Sequence, residues 1–297
     1  MQSDKNLPET WTILKILSWT EGYFKSFDID SPRLTAEILL CYALNIRRLD
    51  LYLQFDRPLN KDELAKYRDL IKRRVKREPV AYITGQKGFW DSQLIVNPDV
   101  LIPRADTERL VEYALDEISK KKIDSDSKIK VLELGVGSGA IAISLSKANS
   151  DAIFFATDIS PKAIMVAMQN SLNCSVDVFF LVGSWFEPIK LGVKFDIIIS
   201  NPPYIPTNDI QSLEKDVREY EPLLALDGGD DGLCSLRHIM QSAPDYLKPN
   251  GLLIMEMGFD QRQMVEDEAL KSNQYKSPVF IKDYAGHYRV VSLTMAT

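Results

Sequence analysis

The stretch VLELGVGSGAIAIS, residues 131–144, decides the fold. A short strand-forming run meets Gly135, Gly137 and Gly139, and an apolar helix-forming segment follows at once. Glycines here permit positive φ and close backbone approach to a ligand, at the carboxyl edge where open α/β sheets bind. The spacing is GxGxG. A dinucleotide fingerprint, GxGxxG, would need glycine where this chain has Ala140, and no Walker lysine–serine pair follows. Asp158 ends the next apolar run, AIFFATD, 19 residues beyond Gly139. A carboxylate there can accept both hydroxyls of a ribose. Strand, glycine loop, helix, strand and acid together point to an adenosine-containing ligand. Their spacing favours S-adenosylmethionine over NAD.

The alternation continues downstream. Helices are expected at 161–172, 232–243 and 261–271, with strands at 177–182, 194–200, 251–257, 278–283 and 288–295. Strands separated by helices indicate a doubly wound, mainly parallel sheet. The link YAGH, 284–287, is too short for a crossover, so the last two strands form an antiparallel edge pair. Upstream, residues 1–78 read as a small helical domain. SPRLTAEILLCYALN, 31–45, has Ser31 as N-cap, Pro32 at the first helical position and Asn45 past the end. NKDELAKYRDLIKRRVKRE, 60–78, opens with a capping box, Asn60 and Glu63, and continues with Leu64, Tyr67, Leu70, Ile71 and Val75 at helical spacing. Residues 79–103 read as a β-hairpin linker with its turn at Asp91-Ser92, and the α/β domain occupies 104–297, opening on a helix at 107–119.

Composition bounds the function. With 297 residues, 45% of them hydrophobic, the chain can bury one large core or two modest ones. Neither a secretion signal nor an apolar run near the roughly 18 residues of a membrane span is visible. Cys41, Cys174 and Cys234 are widely spaced and form no CxxC pair, which fits reduced thiols in the cytoplasm. Only two histidines, His238 and His287, argue against a multi-histidine metal site, and no metal is expected. The first 80 residues carry 15 Lys/Arg and 12 Asp/Glu; the remainder carries 21 and 30. The acidic larger part argues against sequence-independent nucleic-acid binding, which needs phosphates neutralised.

A second stretch carries the chemistry. FDIIISNPPYIP, 195–206, is an apolar strand stopped by two prolines at the same sheet edge as the glycine loop. Each proline fixes its own φ, holds the preceding residue extended and removes an N–H. The Pro202 carbonyl is thereby a rigid acceptor, and the Asn201 side-chain oxygen is a second one. Together they can hold both hydrogens of an –NH2 group while Tyr204 stacks on the attached plane. A carboxamide or aryl-amine nitrogen is a poor nucleophile, and two fixed acceptors orient it and stabilise developing positive charge. Such a nitrogen becomes acidic only once alkylated, so no strong base is needed before transfer.

At this point the chain resembles the protein-(glutamine-N5) methyltransferases of release factors, often called HemK/PrmC. The resemblance runs through SPRLTAEILL, PVAYITGQKGFWDSQLIVNPDVLIPRADTERLVE, ELGVGSGAIAISL, ATDIS, GSWFEP, SNPPYIP, EPLLALDGGDDGL, GLLIMEMGFDQ and DYAGHYRVV. NPPY is shared with adenine-N6 methyltransferases; the IPR segment, EPLLALDGGDDGL and the helical N-terminus distinguish the glutamine group. The resemblance implies a Rossmann-like class I methyltransferase sheet behind a helical substrate-recognition domain. It also implies S-adenosylmethionine as methyl donor, S-adenosylhomocysteine as product, and the Gly-Gly-Gln glutamine of class-I peptide chain release factors as acceptor. By the same resemblance Glu133, Gly135, Val136, Gly137, Ser138 and Gly139 line the methionine end of the cofactor. Asp158 and Ile159 hold its ribose side, and Trp185 its adenine region. Asn201, Pro202 and Pro203 hold the glutamine amide, Tyr204 closes over it, and Trp90 and Arg104 belong to the substrate pocket. Glu133 stands where Asp is common, Val136 where Thr is common, and PRADTE where PRPETE is common. A monomer with no stable nucleic-acid or membrane partner is expected.

Weaker signals have bland meanings. KRRVKRE, 72–78, reads as a solvated helix face before a docking surface, and His287 as structural rather than a base. Glu256 reads as sheet-edge support, and Asp227 to Asp231 as a turn before a helix. An adenine-N6 methyltransferase is the enzymatic rival, since an exocyclic amine suits the same acceptors. A non-catalytic scaffold retaining a nucleotide fold is the alternative from another class.

Overall fold

A computed structural model describes residues 10–123 and 127–296, which divide into two compact units meeting at Gly85/Gln86. The first unit holds α1 (Ile13–Lys25), α2 (Pro32–Leu44), α3 (Arg48–Leu53), α4 (Lys61–Val75) and α5 (Val80–Thr84). Phe24, Leu39, Leu40, Tyr67 and Ile83 share its core. The α4 capping box is present: Glu63 N–H donates to Asn60 Oδ1 and Asn60 N–H to Glu63 Oε2, each at 2.9 Å. Asn45 closes α2 in the left-handed region, at φ 53°. Ser31 is a correction. It sits at φ 44° with no side-chain cap, and only its carbonyl starts the helix, accepting from Thr35 N–H at 2.9 Å. The basic run is largely committed inside this unit, with Arg73 paired to Glu78 and Arg77 donating to the Phe27 carbonyl. Residues 80–84, expected in the linker, form α5 instead, because Pro79 can start a helical turn and Gly85, at φ 71°, can end it.

The second unit opens with the hairpin of β1 (Gln86–Phe89) and β2 (Ser92–Ile95). Phe89 pairs with Ser92, so the turn is Trp90-Asp91, one residue earlier than expected, with Trp90 at φ 53°. The remaining elements are α6 (Glu108–Ile123), β3 (Lys130–Leu134), α7 (Ala140–Ala148), β4 (Ile153–Asp158), α8 (Pro161–Cys174), β5 (Phe179–Val182), β6 (Phe195–Ser200), α9 (Lys215–Arg218), α10 (Cys234–Ser242), β7 (Leu247–Glu256), α11 (Arg262–Lys271), β8 (Val279–Lys282) and β9 (Tyr288–Thr294). The hairpin is part of this unit and not a free linker. Phe89 and Leu94 are buried in its core, and buried Asn170 of α8 satisfies both backbone groups of Ile95, at 2.7 and 2.9 Å.

Seven strands form one sheet in the order β5-β4-β3-β6-β7-β9-β8. The first five are parallel, β9 lies antiparallel between β7 and β8, and the short β8–β9 link explains the antiparallel pair. Ile197, Ile198 and Ile199 of β6 are fully buried, since helices cover both faces of a parallel sheet. The chain runs outward from β3 to β5 and returns beside β3 at β6, so the order reverses there. Ligands bind open sheets at such a switch point, outside the carboxyl ends of the strands. Leu134 pairs with Ser200, so β3 and β6 end level, and Ser200 Oγ donates to the Leu134 carbonyl at 2.8 Å. The glycine loop and the Asn201 segment therefore start side by side.

Candidate active site

A cleft of about 530 Å³ opens at this switch point. Its lining includes Glu133, Gly135, Val136, Gly137, Ser138, Asp158, Ile159, Trp185, Asn201, Pro203 and Arg104. Eleven residues expected at the site are thus gathered from five separate segments. Gly139, Trp90, Pro202 and Tyr204 do not line it.

The glycine loop is held from three sides. Asp158 accepts from Gly137 N–H through one carboxylate oxygen and from Ser160 N–H through the other, both at 2.9 Å. Asn170, already tied to the hairpin, donates to the Ser138 carbonyl at 2.9 Å. Glu133 is 3% exposed and accepts from Ala142 N–H, in the first turn of α7, at 2.8 Å. The longer glutamate thus caps a helix N-terminus, where negative charge is favoured. Burial nevertheless pushes the Glu133 carboxyl well above the usual range, only partly opposed by that N–H. Burial also raises Asp158, against the two backbone donors. A side chain at Gly137 would meet nothing within 4 Å, at φ 53° on the cleft wall, so its absence leaves room for a ligand against the backbone. At Gly139, φ 85°, a Cβ would stand 2.7 Å from Ile143 Cδ1 and 3.3 Å from Ala167 Cβ. Gly139 lies outside the cleft lining, and the lack of a side chain there lets α7 pack against α8. Across the loop, Trp185 keeps φ 46° and its carbonyl accepts from Thr157 Oγ1 at 2.8 Å.

On the β6 side, Asn201 Nδ2 donates to Thr107 Oγ1 at 3.2 Å. Among the described residues none donates to Asn201 Oδ1 or to the Pro202 carbonyl. Tyr204, expected to close over the acceptor, instead packs its ring on the core and donates its hydroxyl to Glu256 Oε1 at 3.1 Å. Burial drives that phenol upward, and the Glu256 charge adds to it. The Tyr204 carbonyl accepts from Gln261 Nε2 at 2.8 Å, so both ends of the residue are tethered. Trp90 lies at the hairpin turn, its N–H on Glu108 Oε1 at 3.0 Å.

Sequence reading missed two contributors. Glu221, its side chain 1% exposed, pairs with Arg104 and accepts from Ile102 N–H at 3.1 Å. It staples the 102–104 segment to the wall formed by Pro222, Leu224 and Ala225. Thr107 lines the cleft beside Asn201. Both lie in motifs already quoted, but nothing local marks their partners. His287 is exposed in the β8–β9 turn, whose bonds come from its backbone and Asp283. Asp227 and Asp231 cap the turn before α10 through Gly229 N–H and Leu233 N–H.

Residues 15–85 match the PrmC N-terminal domain family, and residues 125–288 match a methyltransferase domain family. A release factor glutamine methyltransferase of Geobacter sulfurreducens is 46% identical over 258 residues, 87% of this chain and 88% of its own. One from Vibrio cholerae is 42% identical over 262 residues, 88% and 89% of the two chains. One from Rhodopirellula baltica is 36% identical over 288 residues, 96% and 97%. Among solved structures, the T. thermophilus 16S rRNA N2 G1207 methyltransferase in complex with AdoMet and guanosine superimposes with a TM-score of 0.50. It is 14% identical, over 71% of this chain and 49% of that one, a likeness of fold alone.

Proposed function

The chain belongs to the release factor glutamine methyltransferases, and on that premise we propose that it methylates the side-chain amide nitrogen, N5, of the Gly-Gly-Gln glutamine in class-I peptide chain release factors. Translation termination is the process so modulated. The observation that carries the reading is the level ending of β3 and β6. It sets the glycine loop and Asp158 in the same cleft as Asn201.

The residues present fit S-adenosylmethionine. Gly137 leaves open space against the loop backbone, Glu133 and Asp158 supply acceptors, and Trp185 supplies an aromatic wall. When bound, that cofactor supplies an electrophilic methyl group. Everything else falls to the chain. Asp158 and Ile159 take the ribose side, and Trp185 the adenine side. Asn201 Oδ1 and the Pro202 carbonyl, both without a donor among the described residues, receive the two hydrogens of the glutamine –NH2. Two fixed acceptors aim the nitrogen and stabilise positive charge as it develops. Tyr204 anchors this segment through its hydroxyl and its carbonyl. Arg104, held by Glu221, and Pro203 border the entry of the glutamine side chain. The helical unit, residues 1–85, recognises the release factor, and the enzyme works as a monomer in the cytoplasm.

An adenine-N6 amine would meet the same acceptors, and the acidic surplus beyond residue 80 disfavours it. Incubation with labelled cofactor and either a release factor or nucleic acid separates the two. One added methyl group on the glutamine of the Gly-Gly-Gln peptide, seen by mass, is the expected result. Label entering only DNA or RNA would sink the reading.

A further inference from the structure

We propose that Glu221 is a specificity-determining residue: by neutralising Arg104 at the acceptor end of the cleft, it keeps the site selective for a carboxamide over a carboxylate. The inference rests on the glutamine amide as the acceptor.

Hydrogen bonds place Arg104 at that end. Its carbonyl accepts from Thr107 N–H at 3.2 Å, and Thr107 Oγ1 accepts from Asn201 Nδ2 at 3.2 Å. Among the described residues that line the cleft, Arg104 is the one Lys or Arg; the acids there are Asp99, Glu133, Asp158 and Asp227. A guanidinium left without a counterion is an anion site, because its fork of N–H donors matches a carboxylate.

Glu221 closes that site from behind. It lies just past α9, outside the cleft lining, and its side chain is 1% exposed. Both of its oxygens are used. Oε1 pairs with Arg104 Nη2, and Oε2 accepts from Ile102 N–H at 3.1 Å. A competing carboxylate that drew Arg104 away would strand a buried charge, which is strongly unfavourable. Arg104 retains further N–H donors for neutral carbonyl oxygens, but its charge is already matched.

The acceptor chemistry makes this pairing matter. Glutamine and glutamate have nearly the same shape, so size cannot separate them. Asn201 Oδ1 repels a carboxylate only as a dipole, and a free cation close by would offset that repulsion. Specificity is a difference between two affinities, and withholding a counterion lowers the unwanted one.

The test uses the full-length enzyme and two forms of a release factor, one with Gly-Gly-Gln and one with glutamate in place of that glutamine. Calorimetry in the presence of S-adenosylhomocysteine gives the affinity for each form, and a separate titration gives that for S-adenosylmethionine. The parent should bind the glutamate form at least about thirtyfold more weakly. Glu221→Gln should narrow that gap at least tenfold, with S-adenosylmethionine affinity within threefold of the parent. Arg104→Gln removes the cation and leaves the acid, so it should not narrow the gap; this variant reports even where Glu221→Gln fails to fold. The double variant of Glu221→Gln and Arg104→Gln has neither charge, and its gap should return to within threefold of the parent's. A merely structural staple would not be restored by removing its second half. An unchanged gap in Glu221→Gln, or a narrowed gap in Arg104→Gln, overturns the inference. If the parent transfers no methyl group to the glutamine form, the reading of the acceptor falls; if it does so while binding both forms equally, the selectivity alone falls.

Discussion

Glu256 is a buried acid, and its burial carries a cost in stability. Its carboxyl titrates near 6 when folded and near the ordinary 4.5 when unfolded, because burial penalises the charge. A raised acid binds its proton more tightly in the folded state. Its contribution is therefore fully present below about 4.5 and is lost as pH rises through about 6. At roughly 1.4 kcal/mol per unit, the shift is worth about 2 kcal/mol. Glu256→Gln should be no more stable than the parent at pH 4.5 and gain on it by about 2 kcal/mol by pH 8. Urea denaturation at the two pH values measures this, and an unchanged difference would contradict a buried titrating carboxylate. Asn201, Asp158 and Glu133 were legible from their motifs. Thr107 and Glu256 were not, because Thr107 meets Asn201 across 94 residues and Glu256 meets Tyr204 across 52.

At the scale of elements, one loop uses its glycines for two purposes. Gly139→Ala meets a left-handed φ together with Ile143 and Ala167, and should destabilise the fold by about 2–4 kcal/mol. Gly137→Ala shares the left-handed φ but meets no atom, so its effect should be a loss of cofactor affinity of tenfold or more with a smaller fall in thermal midpoint. Equal midpoints for the two variants would contradict this division. GxGxG showed that a strand turned into a helix at residues 135–139. It could not show which glycine lined the cleft and which faced α8, because that depends on where Ala167 packs. The hairpin is similar. Its strands were readable from β-prone residues, but its membership of the second unit depends on Asn170, 75 residues away.

At the scale of the whole molecule, each unit has a core of its own, and the cleft residues all fall between Pro98 and Ser235. Removing residues 1–85 should leave S-adenosylmethionine affinity within about threefold and lower kcat/KM for an intact release factor at least a hundredfold. Calorimetry and initial rates distinguish this from a general loss of folding. The sequence by itself determined the strand and helix alternation, the glycine loop, its acid and the rigid acceptors of NPPY. These are local properties, carried by apolar periodicity, by φ > 0 positions and by the absence of a proline N–H. Only the tertiary structure decided that β3 and β6 end level. It also decided that Glu221 clamps Arg104, and that the carboxylate met by Tyr204 comes from β7. Those contacts join residues far apart in the chain, and a buried charge finds its partners through packing, not through spacing.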